Sequence, residues 1–436
     1  MLALIGVLTI VVLTLLLLFD KVSVVVGLIL IPTVFALIAG FAGDLGGFYE
    51  AGIKSVAPTA ATFVFAILYF GIVTDAGLLK PIIDYVIRQV GHCPVKVCVG
   101  TALLCVLIHL DGAAAVCFLI TIKTMLPLYE RIGMDRRVLA TLCGLAAGIN
   151  ILPWVAPVLR SAAVLHLSPA EIFHPLLLPA LAGLVYLGGV AYWLGRRERK
   201  RLAAGIALST AGPAIAAGGT ALEPEDEQWH RPKLFWANAL LTLGILVIIV
   251  FGLYPPVVVF MIGLGIALLI NYPKPRDQMD RLISHARPAL VMAAILLASG
   301  VFTGVLHGTG MLTAIAESAA ESVPASFGHL IPLLVAIVAV PLSLLFDPDS
   351  YYFGVLPVLA HMYGQLGGEP VDLARASLMG MHTVGATLSP NTPVTFLLIS
   401  LCGITLGQHQ RFLWAYALGG SWLMTAVAVA VGAINL

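Results

Sequence analysis

Apolar runs long enough to cross a lipid bilayer fill most of this chain, and polar signatures interrupt them at matching places in two halves. His109-Leu110-Asp111-Gly112 stands in the first half and Phe346-Asp347-Pro348-Asp349 in the second. Carboxylates at membrane depth are costly, so they persist where an ion or substrate path needs them. Polar breaks at equivalent places of a repeated hydrophobic pattern point to a binding site at the repeat interface, the arrangement of a secondary transporter.

Of the 436 residues, 60% are hydrophobic and 10% charged, which excludes an ordinary soluble domain. The run lengths predict an all-α integral membrane protein, since barrel strands would be about 10 residues of alternating polarity. A net charge of +1 leaves no electrostatic footprint for nucleic acid. The first run, 2–19, has no basic leader and no small-residue cleavage site, so it reads as a retained helix rather than a signal peptide. The six cysteines lie in apolar stretches and read as small buried hydrophobes, not as a disulfide framework.

Spans are expected at 2–19, 22–42, 58–74, 138–166 and 175–194, with a hairpin at 94–130. The series returns at 234–253, 256–270, 288–306, 373–401 and 412–432, with a hairpin at 330–366. The expected architecture is therefore about 10 spanning helices plus two re-entrant hairpins, with a first repeat at 1–200, a cytoplasmic linker at 201–233 and a second repeat at 234–436. Asp111 and Asp347 are 236 positions apart, and Pro153 and Pro390 are 237 apart.

Five crossings per half is an odd number, so the second repeat should be inverted. With Asp20-Lys21 in the cytoplasm, all of the 23 Lys and Arg except Lys54, Lys123, Arg160 and Arg375 fall inside as well. Asp44, Glu50, Glu171, Glu317, Glu321 and Glu369 then fall outside with Lys54 and Arg375, while Lys123 and Arg160 stay at membrane depth. A multi-pass protein of the plasma membrane with both termini outside is the expectation. The basic run from Arg196 to Arg201 reads as a topology anchor that could also touch anionic lipid.

Each hairpin carries inside- or outside-type charge at both outer ends, which places its tip near the midplane. Freed backbone groups and half-helix N-termini at such tips can hold ions or an anion. The broken helices add to this. Gly148-Ile149-Asn150-Ile151-Leu152-Pro153-Trp154-Val155-Ala156-Pro157 matches Gly385-Ala386-Thr387-Leu388-Ser389-Pro390-Asn391-Thr392-Pro393, and paired prolines cannot sit in a continuous helix. Unwound backbone in a bilayer must line a polar cavity or be packed in protein. Asn150, Ser389, Asn391, Thr392, Gly112 and Tyr351 are thus candidates for substrate contact. Arg160, which has no charged counterpart one repeat later, is the candidate for holding a carboxylate; snorkelling to the outer interface is its alternative. Asp111, Asp347, Asp349, His109 and His382 are candidates for a coupling ion or proton, with Asp111 and Asp347 also possible metal ligands.

The stretch His109-Leu110-Asp111-Gly112 with Leu152-Pro153-Trp154 resembles the CitMHS family of metal-citrate/proton symporters within the ion transporter superfamily. The likeness runs from the opening helix through Pro32-Thr33-Val34-Phe35-Ala36-Leu37-Ile38-Ala39-Gly40 to Gly403-Ile404-Thr405-Leu406-Gly407-Gln408-His409-Gln410. That resemblance implies a homodimer with a fixed scaffold and a moving, elevator-type transport domain, and a cargo of citrate or a similar carboxylate. The co-transported ion would be H⁺, Na⁺ or a divalent cation such as Mg²⁺ or Ca²⁺, with no resident cofactor. The chain departs from the family pattern at Asp111-Gly112-Ala113-Ala114, where a second acidic residue is expected, and at Val155-Ala156, where glycines are. Asp349 is the candidate replacement for the absent carboxylate. The competing readings are an inorganic-ion transporter or sodium/proton exchanger of the same superfamily, and a membrane-embedded enzyme, for which no hydrolase or phosphate-loop spacing is present.

Overall fold

The computed structural model describes residues 1–19, 21–205, 228–320 and 325–435. These residues form helices joined by turns, with no strand among them, the solution that satisfies every backbone group within one segment where water is absent. The first series is α1 (Leu2–Leu18), α2 (Val24–Ile38), α3 (Leu45–Asp75), α4 (Lys80–Val90), α5 (Pro94–Ile108), α6 (Ala114–Ile132), α7 (Arg136–Ile149), α8 (Ala156–Leu165), α9 (Pro169–Phe173) and α10 (Leu177–Ala203). The second is α11 (Phe235–Val250), α12 (Pro256–Asn271), α13 (Pro275–Gly308), α14 (Met311–Ala320), α15 (Ala325–Gly328), α16 (Ile331–Leu345), α17 (Leu356–Gln365), α18 (Pro370–Leu378), α19 (Pro393–Cys402) and α20 (Leu406–Ala430). Much of the expected linker, together with Asp20 and Glu321, lies outside the described residues.

Local devices recur 237 positions apart. Ser168 Oγ accepts the N–H of Glu171, and Thr405 Oγ accepts the N–H of Gln408, whose amide oxygen in turn accepts the Thr405 N–H. Both cap the start of the helix that follows a broken helix, satisfying donors that the first turn leaves orphaned. Likewise Glu198 Oε2 accepts the Asp135 N–H at 2.8 Å, while Asn435 Nδ2 donates to Asp372 Oδ2 at 3.2 Å. Each pair bolts the foot of a broken helix to the far end of its own series.

The longest helices, α3 and α13, pack along one another at glycines. A Cβ on Gly52 would lie 2.0 Å from the Gly300 carbonyl oxygen, and one on Gly304 would lie 2.4 Å from that of Phe48. Small residues replace the hydrophobic drive that lipid cannot supply between helices. Buried polar pairs tie neighbouring helices: Tyr69 OH and Thr242 Oγ1 are 2.7 Å apart between α3 and α11, and Asn238 and Asn271 exchange two amide hydrogen bonds of 2.8 Å between α11 and α12. The cysteines are free thiols; five are buried, and Cys105 and Cys117 face each other across the arms α5 and α6 at 3.1 Å.

The structure differs from the sequence reading in three places. Among the described residues, six helices have the length and apolar character to cross a membrane, and shorter apolar helices accompany them, so the expected ten full spans are not reproduced by length. Starts expected at 58 and 288 lie much earlier, at Leu45 and Pro275, because Pro58 and Pro288 sit inside their helices instead of opening them. The second break is wider than expected. α18 stops at Leu378, where Ser343 Oγ on α16 accepts the His382 N–H at 3.1 Å and His382 adopts a left-handed φ of 49°.

Candidate functional site

α5 ends in a single 3-10 turn, His109–Asp111, and Gly112 reverses the chain at φ 77°, a conformation that glycine adopts without strain. Asp111 Oδ1 accepts the Ala113 N–H at 2.8 Å. The second hairpin turns around Pro348 instead. There the Asp347 carboxylate accepts the N–H groups of Asp349 at 3.0 Å and Ser350 at 3.2 Å, and the Ser350 hydroxyl donates to it as well. Both aspartates therefore satisfy the orphan donors at the start of a second hairpin arm, where negative charge is favoured. In the second hairpin that arm opens with a π-helical turn, Ser350–Val355, a feature frequent at functional sites.

The breaks reach back to the hairpins. Asn150, which closes α7, donates through Nδ2 to Val106 O at 3.2 Å and lies 3.5 Å from His109 Nδ1. Asn391 donates through Nδ2 to Leu344 O at 3.2 Å, and its own N–H goes to Ser389 Oγ at 3.1 Å. In each half, one asparagine ties the unwound segment to the last turn of the first hairpin arm. Thr392 Oγ1 donates to Ala386 O at 2.6 Å and closes its loop on itself. His382 Nε2 meets Phe346 O at 2.9 Å.

Contacts between the halves complete the arrangement. α6 packs on α19, and the turn Ser350–Val355 with α17 packs on α8, so each second arm lies against the outer half of the other series' broken helix. A Cβ on Gly148 would come within 2.5 Å of Val384 Cα, which puts the two breaks in backbone contact. Arg160 Nε donates to Asp349 Oδ1 at 2.8 Å, with both side chains largely shielded from solvent.

The contacts thus bring Arg160, Asp347, Asp349, His382 and Asn391 to the second hairpin, with Ser389 bonded to Asn391 and Thr392 held within its own loop, and His109, Asp111, Gly112 and Asn150 to the first. Arg160 is held by an ion pair. Tyr351 is buried and hydrogen-bonds Ser377 Oγ at 2.7 Å, so it fastens the second hairpin to α18. Among the described residues no three His, Cys, Asp or Glu side chains gather as a metal-holding group. Sequence reasoning named Tyr352, beside Tyr351, as a residue that could close the site, with simple packing as the alternative, and passed over Trp154 and Ser343. Trp154 donates to Leu110 O at 2.8 Å while packing against Phe70 and meeting Phe260 edge to face; Tyr352 donates to Met381 O at 2.7 Å; and Ser343 shapes the second break. Of the two passed over, only Trp154 carried a signal, as part of Leu152-Pro153-Trp154.

Residues 1–380 match the family model described as CitMHS, citrate transporter. The chain belongs to the citrate transporter family. Within this family, a citrate transporter of Bacillus subtilis (strain 168) is 39% identical over 436 residues, covering 100% of both chains. A Mg(2+)/citrate complex secondary transporter of the same organism is 40% identical over 438 residues, again covering 100% of both. Among solved structures the chain is similar to the YdaH transporter of Alcanivorax borkumensis, with a TM-score of 0.59 at 14% identity over 90% of this chain and 88% of that one. It is also similar to MtrF of Neisseria gonorrhoeae, with a TM-score of 0.54 at 13% identity over 89% and 84%. These two likenesses show the fold. The family resemblance read from the hairpin and break motifs is borne out, and this member of a transporter family, not an enzyme family, is a multi-pass membrane protein.

Proposed function

We infer that this chain is a secondary active transporter that moves citrate, or a similar di- or tricarboxylate, together with protons or cations. The observation that carries the reading is the shielded guanidinium of Arg160 at the junction of the first break and the second hairpin tip. A guanidinium there can receive a carboxylate with matched geometry. The start of α8 adds the positive end of a helix dipole.

The tip carboxylates bear on what form the cargo takes. Asp111 and Asp347 already accept hydrogen bonds from their own loops, and Asp349 is engaged by Arg160. A hard cation wants six or more oxygen ligands, so a divalent ion would draw most of them from the carboxylate cargo and water. Mg²⁺ or Ca²⁺ then enters as part of the substrate, in keeping with the relative named a Mg(2+)/citrate complex transporter.

In this reading, 1–200 and 234–436 are inverted repeats, supported by the capping and bolting contacts recurring 237 positions apart. The hairpins are re-entrant, and hairpins and broken helices move together as an elevator against a scaffold built on α3 and α13. The chain works as a homodimer in the plasma membrane with both termini outside. Arg160's engagement with Asp349 favours one second reading, an inorganic-ion transporter or sodium/proton exchanger of the same superfamily, in which the arginine is structural.

Uptake of labelled citrate into proteoliposomes, with and without Mg²⁺ and under imposed pH or Na⁺ gradients, tests the function. Gradient-dependent citrate accumulation is expected, and Asp347→Asn should abolish it. Wild-type protein that carries no di- or tricarboxylate under any gradient would rule the reading out, and intact carboxylate uptake by Arg160→Ala would favour the second one.

A further inference from the structure

Arg160 offers five N–H donors, yet its one hydrogen bond among the described residues is Nε to Asp349 Oδ1 at 2.8 Å. Neither of its terminal nitrogens is among the side-chain atoms that are buried without a partner. The guanidinium is therefore gripped by one corner while its Nη1/Nη2 edge stays open. That edge is the geometry that accepts a carboxylate end-on with two parallel hydrogen bonds. The grip also cancels charge: arginine and aspartate, 11% and 14% exposed, form a neutral unit before any substrate arrives. The nearest further acid on the tip, Asp347, adds negative charge two residues away, and His382 is fixed by the Phe346 carbonyl.

We propose that Asp349 is a positioning and specificity-determining residue: it aims the open edge of Arg160 at a substrate carboxylate and, by neutralising that arginine, selects citrate whose charge is offset by a bound divalent cation over the free trianion. The proposal rests on the carboxylate-transport reading above. A free trianion brought to a neutral pair beside Asp347 meets no net positive charge, and in a shielded site that mismatch weighs far more than in water. A metal-citrate complex carries its compensation with it. The chain's lone-acid tip, Asp111-Gly112-Ala113-Ala114, contributes no competing cage for the metal.

The test is calorimetric binding of citrate to purified full-length protein, once with Mg²⁺ in excess and once with the metal chelated. Wild type should prefer the complex. In Asp349→Asn, which keeps an acceptor for Nε but leaves the guanidinium charge uncompensated, the affinity ratio should shift toward free citrate by about tenfold or more. Asp349→Glu should restore the wild-type ratio, and Arg160→Gln should weaken both forms alike. A merely structural role would lower both affinities together and leave the ratio unmoved, which overturns the proposal. So would a wild type indifferent to the metal. Wild type that binds citrate in neither form sinks the transport reading itself, a separable outcome. Should Asp349→Asn not yield folded protein, a wild-type structure with Mg²⁺-citrate decides. The proposal expects a citrate carboxylate on Nη1 and Nη2 with the Asp349 contact retained, and a carboxylate bound elsewhere refutes it.

Discussion

At the residue scale, the asparagines of the breaks are the most exacting side chains. Asn150 and Asn391 each carry one amide donor to a carbonyl in the last turn of a hairpin arm. Replacing Asn391 by Ala leaves the Leu344 carbonyl short of that donor, at a cost of about 1–3 kcal/mol. The expected outcome is a lower thermal midpoint of the detergent-solubilised protein together with loss of citrate uptake, and Asn150→Ala should behave alike. A variant with unchanged midpoint and uptake would remove these side chains from the site. Gly112 is simpler. A Cβ there would sit 3.5 Å from Trp154, an ordinary contact, so Gly112→Ala isolates the cost of φ 77°, about 1 kcal/mol or slightly more.

At the element scale, the broken helices meet through backbone, so bulk at the crossing cannot be absorbed by a rotamer change. Gly148→Leu should destabilise by about 1–3 kcal/mol or more and eliminate citrate binding, measured by thermal unfolding and calorimetry. Thr405→Ala removes a helix cap worth about 1 kcal/mol and should lower the thermal midpoint. Elements were unevenly legible in the sequence. The hairpin ends and the first break could be read because Asp, Gly and Pro interrupt apolar runs where lipid would not tolerate them. The second break could not be bounded, because a hydroxyl on α16, some 39 positions earlier, takes the His382 N–H and stops α18 ahead of its prolines. The short α4 escaped notice because Lys80, Asp84 and Arg88, stacked four apart on one face, look like loop charge when counted without periodicity. Arg160 was legible as a candidate carboxylate partner, but its grip by Asp349, 189 positions away, was not.

At the scale of the whole molecule, the orientation proposed from the distribution of Lys and Arg can be checked with single cysteines. With Cys93→Ser as background, since the other native thiols are buried, Arg199→Cys and Lys274→Cys should react with an impermeant maleimide from the cytoplasmic face only. Lys54→Cys should react from the outside only. Labelling of both groups from one face would break the inverted arrangement. The hydrophobic exterior of α11 and α12, with Leu240, Leu243, Ile262 and Leu269 exposed, is consistent with contact to lipid tails or a second subunit.

The two chain reversals at the tips are built from opposite materials. One swivels on a glycine with a wide conformational basin, and the other is braced by a proline ring and a carboxylate that collects three donors. The two turns should consequently loosen unequally: the glycine reversal gives way at small thermal cost, while the braced one holds until its aspartate is disturbed. The backbone amide of Gly112 should therefore exchange with solvent deuterium sooner than those of Asp349 and Ser350, which the Asp347 carboxylate holds.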